Sequence, residues 1–359
     1  MDQNVVVVKV GSNTLIDENG VLRRAVIRDV LISLKRGLEA GFRVILVSSG
    51  AVKLGRWRFP GVSLPISVAA AVGQIELFGA YREEAREIGI IPGELLLTRP
   101  HLVEREQFRN LQRTIEELFI KKIVPIVNEN DAAVAGTDWS FGDNDTLASA
   151  LAIVLNAERL VILTHIDGLF DSDPAKAKNA RLIEEVEDIN KEILNYSSSG
   201  TSKGGRGGMI SKLKAARICT AFGVHVYIVN GLEAGNTLKA IQGERVGTFL
   251  KAKRSLRPIR NRERWLLAAK NSSGSVEVDD GAVEALRKGK SLLAVGVRKI
   301  YGEFDAKEII EIVDAGREGV AFGIVDYAKN EIEQILRVGE IQGKQLMHAD
   351  NIIVLSLIS

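Results

Sequence analysis

The 359-residue sequence predicts an α/β fold, a mostly parallel central sheet sandwiched by helices, followed by a small β-rich domain. Three observations carry this. Near-continuous β-branched runs recur through the first 250 residues, as in strands buried on both faces of a parallel sheet. Amphipathic stretches at helical spacing separate those runs. After a basic segment at 251–264 the pattern changes to short strands parted by glycine-containing turns.

Taken in order, the expected strands are Val5–Val10, Val44–Val47, Ile123–Val127, Leu160–Leu163 and Val224–Val229. Helical spacing of Val26, Ile27, Val30, Leu31 and Leu34 predicts a helix over 23–40, and similar stretches cover 104–120 and 209–222. Beyond the basic segment, Val276–Val278, Leu292–Leu293, Ile309–Val313, Ala321–Val325 and Ile352–Leu357 read as short strands, interrupted by one amphipathic helix over 280–288. The corresponding domains are 1–253, a basic linker 254–264 and a β-rich domain 265–359.

Composition excludes several classes. With 46% hydrophobic and 26% charged residues the chain can bury a sizeable core, so it is neither disordered nor a stapled miniprotein. Cys219 is the single cysteine and has no internal partner, which predicts a reducing compartment. No apolar run approaches the ~18 residues of a membrane span. Val5–Val8 is too short for a signal peptide, and Asp2 stands where a basic region would be. A cytoplasmic protein without a membrane partner is expected. Charge is uneven: 251–264 carries a net +6, 265–359 a net −4, and the body before them none. The basic run suits a solvated linker or a contact to phosphate-rich partners.

Chemistry is expected where strands end in Gly/Ser-rich turns, because that edge of an α/β sheet builds its site. Lys9-Val10-Gly11-Ser12-Asn13 ends the first strand and can aim an ammonium and backbone N–H groups at phosphate; an edge-strand lysine snorkelling to water is the alternative. Ser48-Ser49-Gly50-Ala51 ends the second and opens a helix, whose N-terminus attracts anions; Ser49 as a mere helix cap is the alternative. Asn128-Glu129-Asn130-Asp131 and Gly142-Asp143-Asn144-Asp145 crowd acidic and amide groups around a third edge, with Asn144 and Asp145 in a helix's first turn. Gly204-Gly205-Arg206-Gly207-Gly208 runs into Met209-Ile210-Ser211-Lys212, a glycine loop opening a helix. Neither a Walker loop nor a dinucleotide fingerprint is present, the four histidines lack metal-ligand spacing, and no G-x-S-x-G elbow exists.

Together these pieces resemble the amino-acid kinase superfamily, and within it the glutamate 5-kinase family. VVVVKVGSNTL, VILVSSGAVKLG, PIVNENDA, FGDNDTLAS, VILTHIDGLFDSDP and GGMISKLKAA occur in family order. NRERWLLAA with GSVEVDDGAVEALRKGKSLL resembles the opening of a PUA domain over 262–349. The resemblance implies ATP-dependent phosphorylation of the γ-carboxylate of glutamate, with Mg2+ carried by ATP and no metal held by protein side chains. It implies Lys9 and Lys212 at the transferring phosphoryl group, held by Asp145. Ser49, Gly50, Ala51, Asp131 and Asn144 would bind glutamate, Asp131 near its α-amino group. Lys9, Gly11, Ser12, Thr164, His165 and the stretch Gly207, Gly208, Met209, Ile210, Ser211 and Lys212 would line the nucleotide site. His165 departs from a family Asp, Arg206 from a Thr or Ser, and Asn13 from a Ser or Thr. The resemblance further implies proline as feedback inhibitor, a homo-oligomer (dimer or tetramer) and glutamyl phosphate reductase as a partner.

Two other functions compete. Another kinase of the superfamily would act on aspartate, acetylglutamate or carbamate, against which stand the PUA-like tail and the NEND segment. An RNA-binding or RNA-modifying PUA protein would need clustered cations, and the tail's net negative charge disfavours RNA as a partner.

Overall fold

A computed structural model of the chain describes residues 4–174, 176, 177, 179–196, 208–252, 274–317, 319–339 and 342–354. The chain divides into two units, Met1–Ala252 and Lys253–Ser359. The linker expected over 254–264 and Gly207 lie outside the described residues.

The sheet of the first unit contains β1 (Val5–Val10), β2 (Arg43–Val47), β3 (Ile91–Leu97), β4 (Ile123–Glu129), β5 (Arg159–Thr164), β6 (Glu185–Val186), β7 (His225–Asn230) and β8 (Thr248–Leu250). Their spatial order is β3-β4-β2-β1-β5-β7-β8-β6. All pairings are parallel except β7 with β8. The expected strands are therefore present: Val5–Val10 as expected, three others extended by one or two residues at one or both ends, and Val224–Val229 shifted by one.

β1 is central because it is apolar on both faces. Val6 pairs with Val44 on one side and Arg159 on the other. Val6, Val8 and Val10 enter a core with Ile27, Leu31 and Leu34 of α1 (Arg24–Glu39). Each such side chain contributes about 1.5–3 kcal/mol when fully buried. Lys9 is the one charged residue in the run, and by the two-residue period of a strand it leaves on the opposite face.

Four further helices position the site: α2 (Ala51–Trp57), α3 (Ile66–Ile88), α4 (Arg105–Ile120) and α5 (Asn144–Val154). α6 (Met209–Ala221) and α7 (Asn236–Gln242) follow. α5 packs on β1 and against α6. The expected helices over 23–40, 104–120 and 209–222 are thus trimmed by a residue or two. α3 and β3 were not among the expected elements. The first half of α3 is rich in alanine and glycine and lacks a strong apolar stripe, and β3 (IPGELLL) carries Pro92 and Gly93. β3 is an edge strand, where a missing N–H is tolerated.

In the second unit five strands lie in the order Val297–Tyr301, Ser275–Val278, Ile309–Val313, Gly319–Ile324, Ile352–Val354, beside a two-stranded pair, Leu292–Leu293 with Gln345–Met347. The helix Asp280–Arg287 is capped by Asp279, whose carboxylate accepts from the Ala282 N–H. A second helix, Lys329–Val338, corrects the expectation of one. It buries Ile332 and rests Ile335 and Leu336 on the core, a stripe too short to stand out in sequence. Val276, Val278, Leu286, Ile310, Ile312 and Met347 form this unit's own core.

Candidate active site

From β1 the chain builds β2, β3 and β4 on one side, then crosses to β5 on the other side of β1. Such a reversal opens a crevice at the carboxyl ends of the strands. The turn Ser12–Leu15 starts there, tied to β5 by the Gly11 N–H on the Leu163 carbonyl at 3.3 Å.

Lys9 lies at this end of β1 and is 5% exposed. Its ammonium meets Asp145 Oδ1 at 2.6 Å. Asp145 stands in the first turn of α5, which is fixed by Asp143 as N-cap, its side chain accepting from the Thr146 N–H at 2.7 Å. The second oxygen, Oδ2, takes the Lys212 ammonium at 3.2 Å and the Ser211 hydroxyl at 2.8 Å, both from the first turn of α6. Burial raises the Asp145 pKa, but the two ammonium groups and the hydroxyl overcome it and hold the carboxyl well below its usual range. Burial, then the nearby Lys9 charge, lowers the pKa of Lys212. Two ammonium groups on one carboxylate leave a surplus positive charge, and Lys9 does not snorkel from an edge.

A second network lies beside the first. Asn144 donates from Nδ2 to Ser49 Oγ and to Asn128 Oδ1, each at 3.1 Å. Asn128, at the end of β4 and 1% exposed, donates to Gln74 Oε1 at 2.8 Å. Ser49 is not the cap of α2. That position belongs to Gly50, at φ 116°, which L side chains rarely adopt. α3 presses so closely on this turn that a Cβ on Gly73 would fall 1.9 Å from the Ala51 carbonyl oxygen. Adjacent residues of a helix point about 100° apart, so Asn144 and Asp145 serve different networks from one turn.

The remaining candidates gather at the same strand ends. Asp131 opens the one-turn helix Asp131–Val134 after β4. Thr164 ends β5, buried, its carbonyl accepting from the Gly231 N–H at 2.8 Å. His165 follows it and is exposed. Gly208 is the residue before α6, and Met209, Ile210 and Ser211 form its start with Lys212.

Sequence reasoning left out Asn128 as a site residue, although it opens the NEND segment. It also left out Lys53, whose ammonium binds Asn13 Oδ1 at 3.2 Å and the Ile16 carbonyl at 3.1 Å, and Arg23, which donates to the Asn13 carbonyl at 2.8 Å. These contacts set the Ser12–Leu15 turn and have no local pattern that would announce them.

The model of the amino acid kinase family matches residues 4–230, the whole of the strand-end site. The chain belongs to that family. Relatives of this amino acid kinase span nearly its full length. It is 40% identical to a glutamate 5-kinase of Geobacter metallireducens, over 98% of this chain and 97% of that protein. It is 38% identical to a glutamate 5-kinase of Microcystis aeruginosa (99% and 97%), and 36% identical to one of Thermoanaerobacter sp. (98% and 97%). The PUA domain model matches residues 274–342, narrower than the 262–349 expected. Among solved structures, the carbamate kinase from Giardia lamblia bound to AMP-PNP aligns with 70% of this chain and 99% of its own, at TM-score 0.50 and 22% identity. That likeness bears on the fold alone. No helix among the described residues is long and apolar enough to cross a membrane.

Proposed function

We propose that this amino acid kinase transfers the γ-phosphoryl group of ATP to the γ-carboxylate of L-glutamate, giving L-glutamyl 5-phosphate and ADP, the first step toward proline. The observation that carries it is the pairing of Lys9 and Lys212 on one buried carboxylate, next to a network of amides and a hydroxyl at the carboxyl ends of the strands. The full-length likeness to glutamate 5-kinases supports the choice of acceptor.

A carboxylate nucleophile is ionised at neutral pH and needs no general base. The barrier lies in bringing it to an anionic phosphate. Lys9 and Lys212 supply positive charge there, and Asp145 holds both ammonium groups in place before the substrates arrive. Such preorganised donors act where charge develops, and losing one costs on the order of 3 kcal/mol in the barrier. Ser49, Asn144 and the α2 N-terminus with Gly50 and Ala51 receive glutamate, and Asp131 its α-ammonium. Gly11, Ser12, Thr164, His165 and 207–212 line the nucleotide. Magnesium is expected to arrive with the nucleotide, since Asp145 spends both oxygens on ammonium groups. The ion would ride on the phosphates of ATP, as small hard cations commonly do.

The test is ATP consumption by purified protein with glutamate and magnesium, with hydroxylamine trapping the acyl phosphate. A glutamate-dependent hydroxamate supports the assignment. ATP turnover with aspartate, acetylglutamate or carbamate, and none with glutamate, refutes it.

A further inference from the structure

A line of three amide side chains runs from the sheet edge into the acceptor network, and it begins at a carboxylate. Gln74 of α3 donates from Nε2 to Glu94 Oε1 on β3 at 3.0 Å. Its Oε1 accepts from Asn128 Nδ2 at 2.8 Å. Asn128 Oδ1 in turn accepts from Asn144 Nδ2 at 3.1 Å and from the Glu129 backbone N–H at 2.9 Å. Asn144 spends the other end of that NH2 group on Ser49 Oγ.

A primary amide has one donating and one accepting end, whereas an ionised carboxylate only accepts. Glu94 therefore dictates the direction of Gln74, and Gln74 offers its carbonyl to Asn128. The Asn128 carbonyl, held also by the Glu129 N–H, faces Asn144. At the end of the line Asn144 has used its NH2 group and turns Oδ1 away from Asn128 and Ser49. That oxygen is buried and has no hydrogen-bond partner among the described residues. A buried acceptor in this state carries a desolvation penalty that a bound donor removes.

We propose that Gln74 and Glu94 are positioning residues for the acceptor subsite: through Asn128 they set the Asn144 amide so that its Oδ1 shares with Asp131 the three N–H donors of the ammonium group of an amino-acid substrate. With the amide reversed, an NH2 group would meet that ammonium and reject it. The inference rests on glutamate being the acceptor, as proposed above. It explains why a mid-strand carboxylate on the edge strand and a glutamine on α3 belong to the site although both act only through other side chains.

Steady-state kinetics on the full-length protein test it. Gln74→Met keeps the side-chain length and removes both hydrogen bonds. The KM for glutamate should rise about tenfold, the worth of one hydrogen bond, with kcat and the KM for ATP within about twofold of the parent. Glu94→Lys, an exposed exchange, replaces an acceptor by a donor and should raise the glutamate KM in the same way. Glu94→Gln retains an acceptor oxygen and should stay within about twofold. Glutarate, which lacks the α-ammonium, gives a readout that general loosening does not move: Gln74→Met should narrow the preference of the parent for glutamate over glutarate as inhibitor and ligand. An unchanged glutamate KM in both Gln74→Met and Glu94→Lys overturns the inference, as does a parallel rise in both KM values with loss of kcat. A parent that shows no glutamate-dependent turnover overturns the acceptor assignment and this inference with it.

Discussion

Replacing Asp145 by Asn removes one charge and keeps the shape, and its effect can be worked through from the contacts. The carboxylate holds Lys9 at 2.6 Å and Lys212 at 3.2 Å, with the three side chains no more than 9% exposed. Without it two buried ammonium groups lose the carboxylate they share, and removing one side of a buried pair costs about 3–5 kcal/mol. Shedding a proton is no easy escape at pH 7, because neutralising one lysine there costs about 5 kcal/mol relative to the unfolded chain. At pH 9.5 that cost falls to about 1 kcal/mol. The sign follows from Lys212, whose folded pKa is lowered: the unfolded chain binds more protons, so stability rises with pH. Urea unfolding followed by circular dichroism should therefore show the variant about 3–5 kcal/mol less stable at pH 7 and only about 1–2 kcal/mol less at pH 9.5. The parent has a second signature. Its Asp145 pKa is depressed, so that stability is fully present above about pH 4 and drains away as pH falls below it, a loss the Asn variant lacks. Turnover should drop at least about a hundredfold, since neither lysine is held at the phosphate. A variant within about 1 kcal/mol of the parent at both pH values, or one keeping a tenth of kcat, would refute the assignment of Asp145 as the holder of both lysines.

Three other outcomes are expected. Lys212→Ala should lower kcat about a hundredfold while leaving the unfolding midpoint nearly unchanged, because the uncharged site still pairs Lys9 with Asp145; near-normal turnover removes Lys212 from the chemistry. Gly73→Ala places a methyl against the Ala51 carbonyl and should destabilise by about 1–3 kcal/mol and raise the glutamate KM, and a variant of parental stability would show that α2 can shift freely. A chain ending at Ala252 retains all eight strands of the kinase sheet, β8 closing at Leu250, and should keep glutamate-dependent ATP turnover; a folded but inactive truncation would mean that the second unit completes the site.

Much of the site was legible because chemistry-bearing residues sit at strand ends, and strand ends were marked by the switch from β-branched runs to Gly, Ser, Asn and Asp. Lys9 stood out as the one charge in VVVVKV, and Asp145 and Lys212 as charges opening helices. The helix over 209–222 and the strand Ile309–Val313 were plain for the same reason, that their periodicity is local. Gln74 and Glu94 were not legible. Each lies in an element with weak local signal, an alanine- and glycine-rich helix and an edge strand with Pro92 and Gly93, and each matters only through a hydrogen bond to a residue far along the chain.

By itself the sequence determined the α/β class, the break in composition after 250 and the inventory of lysines, carboxylates and amides, since these depend on local pattern and on the cost of burying charge. The tertiary structure decided which partners meet. It placed β1 between β2 and β5, so that Lys9 had to be paired rather than wet, and it put Asp145 and Lys212, 67 residues apart in sequence, on the same face to do so. Ser49 lost the role of helix cap for the same kind of reason: Gly50 took the cap, and Asn144, which no local rule places beside it, claimed the hydroxyl.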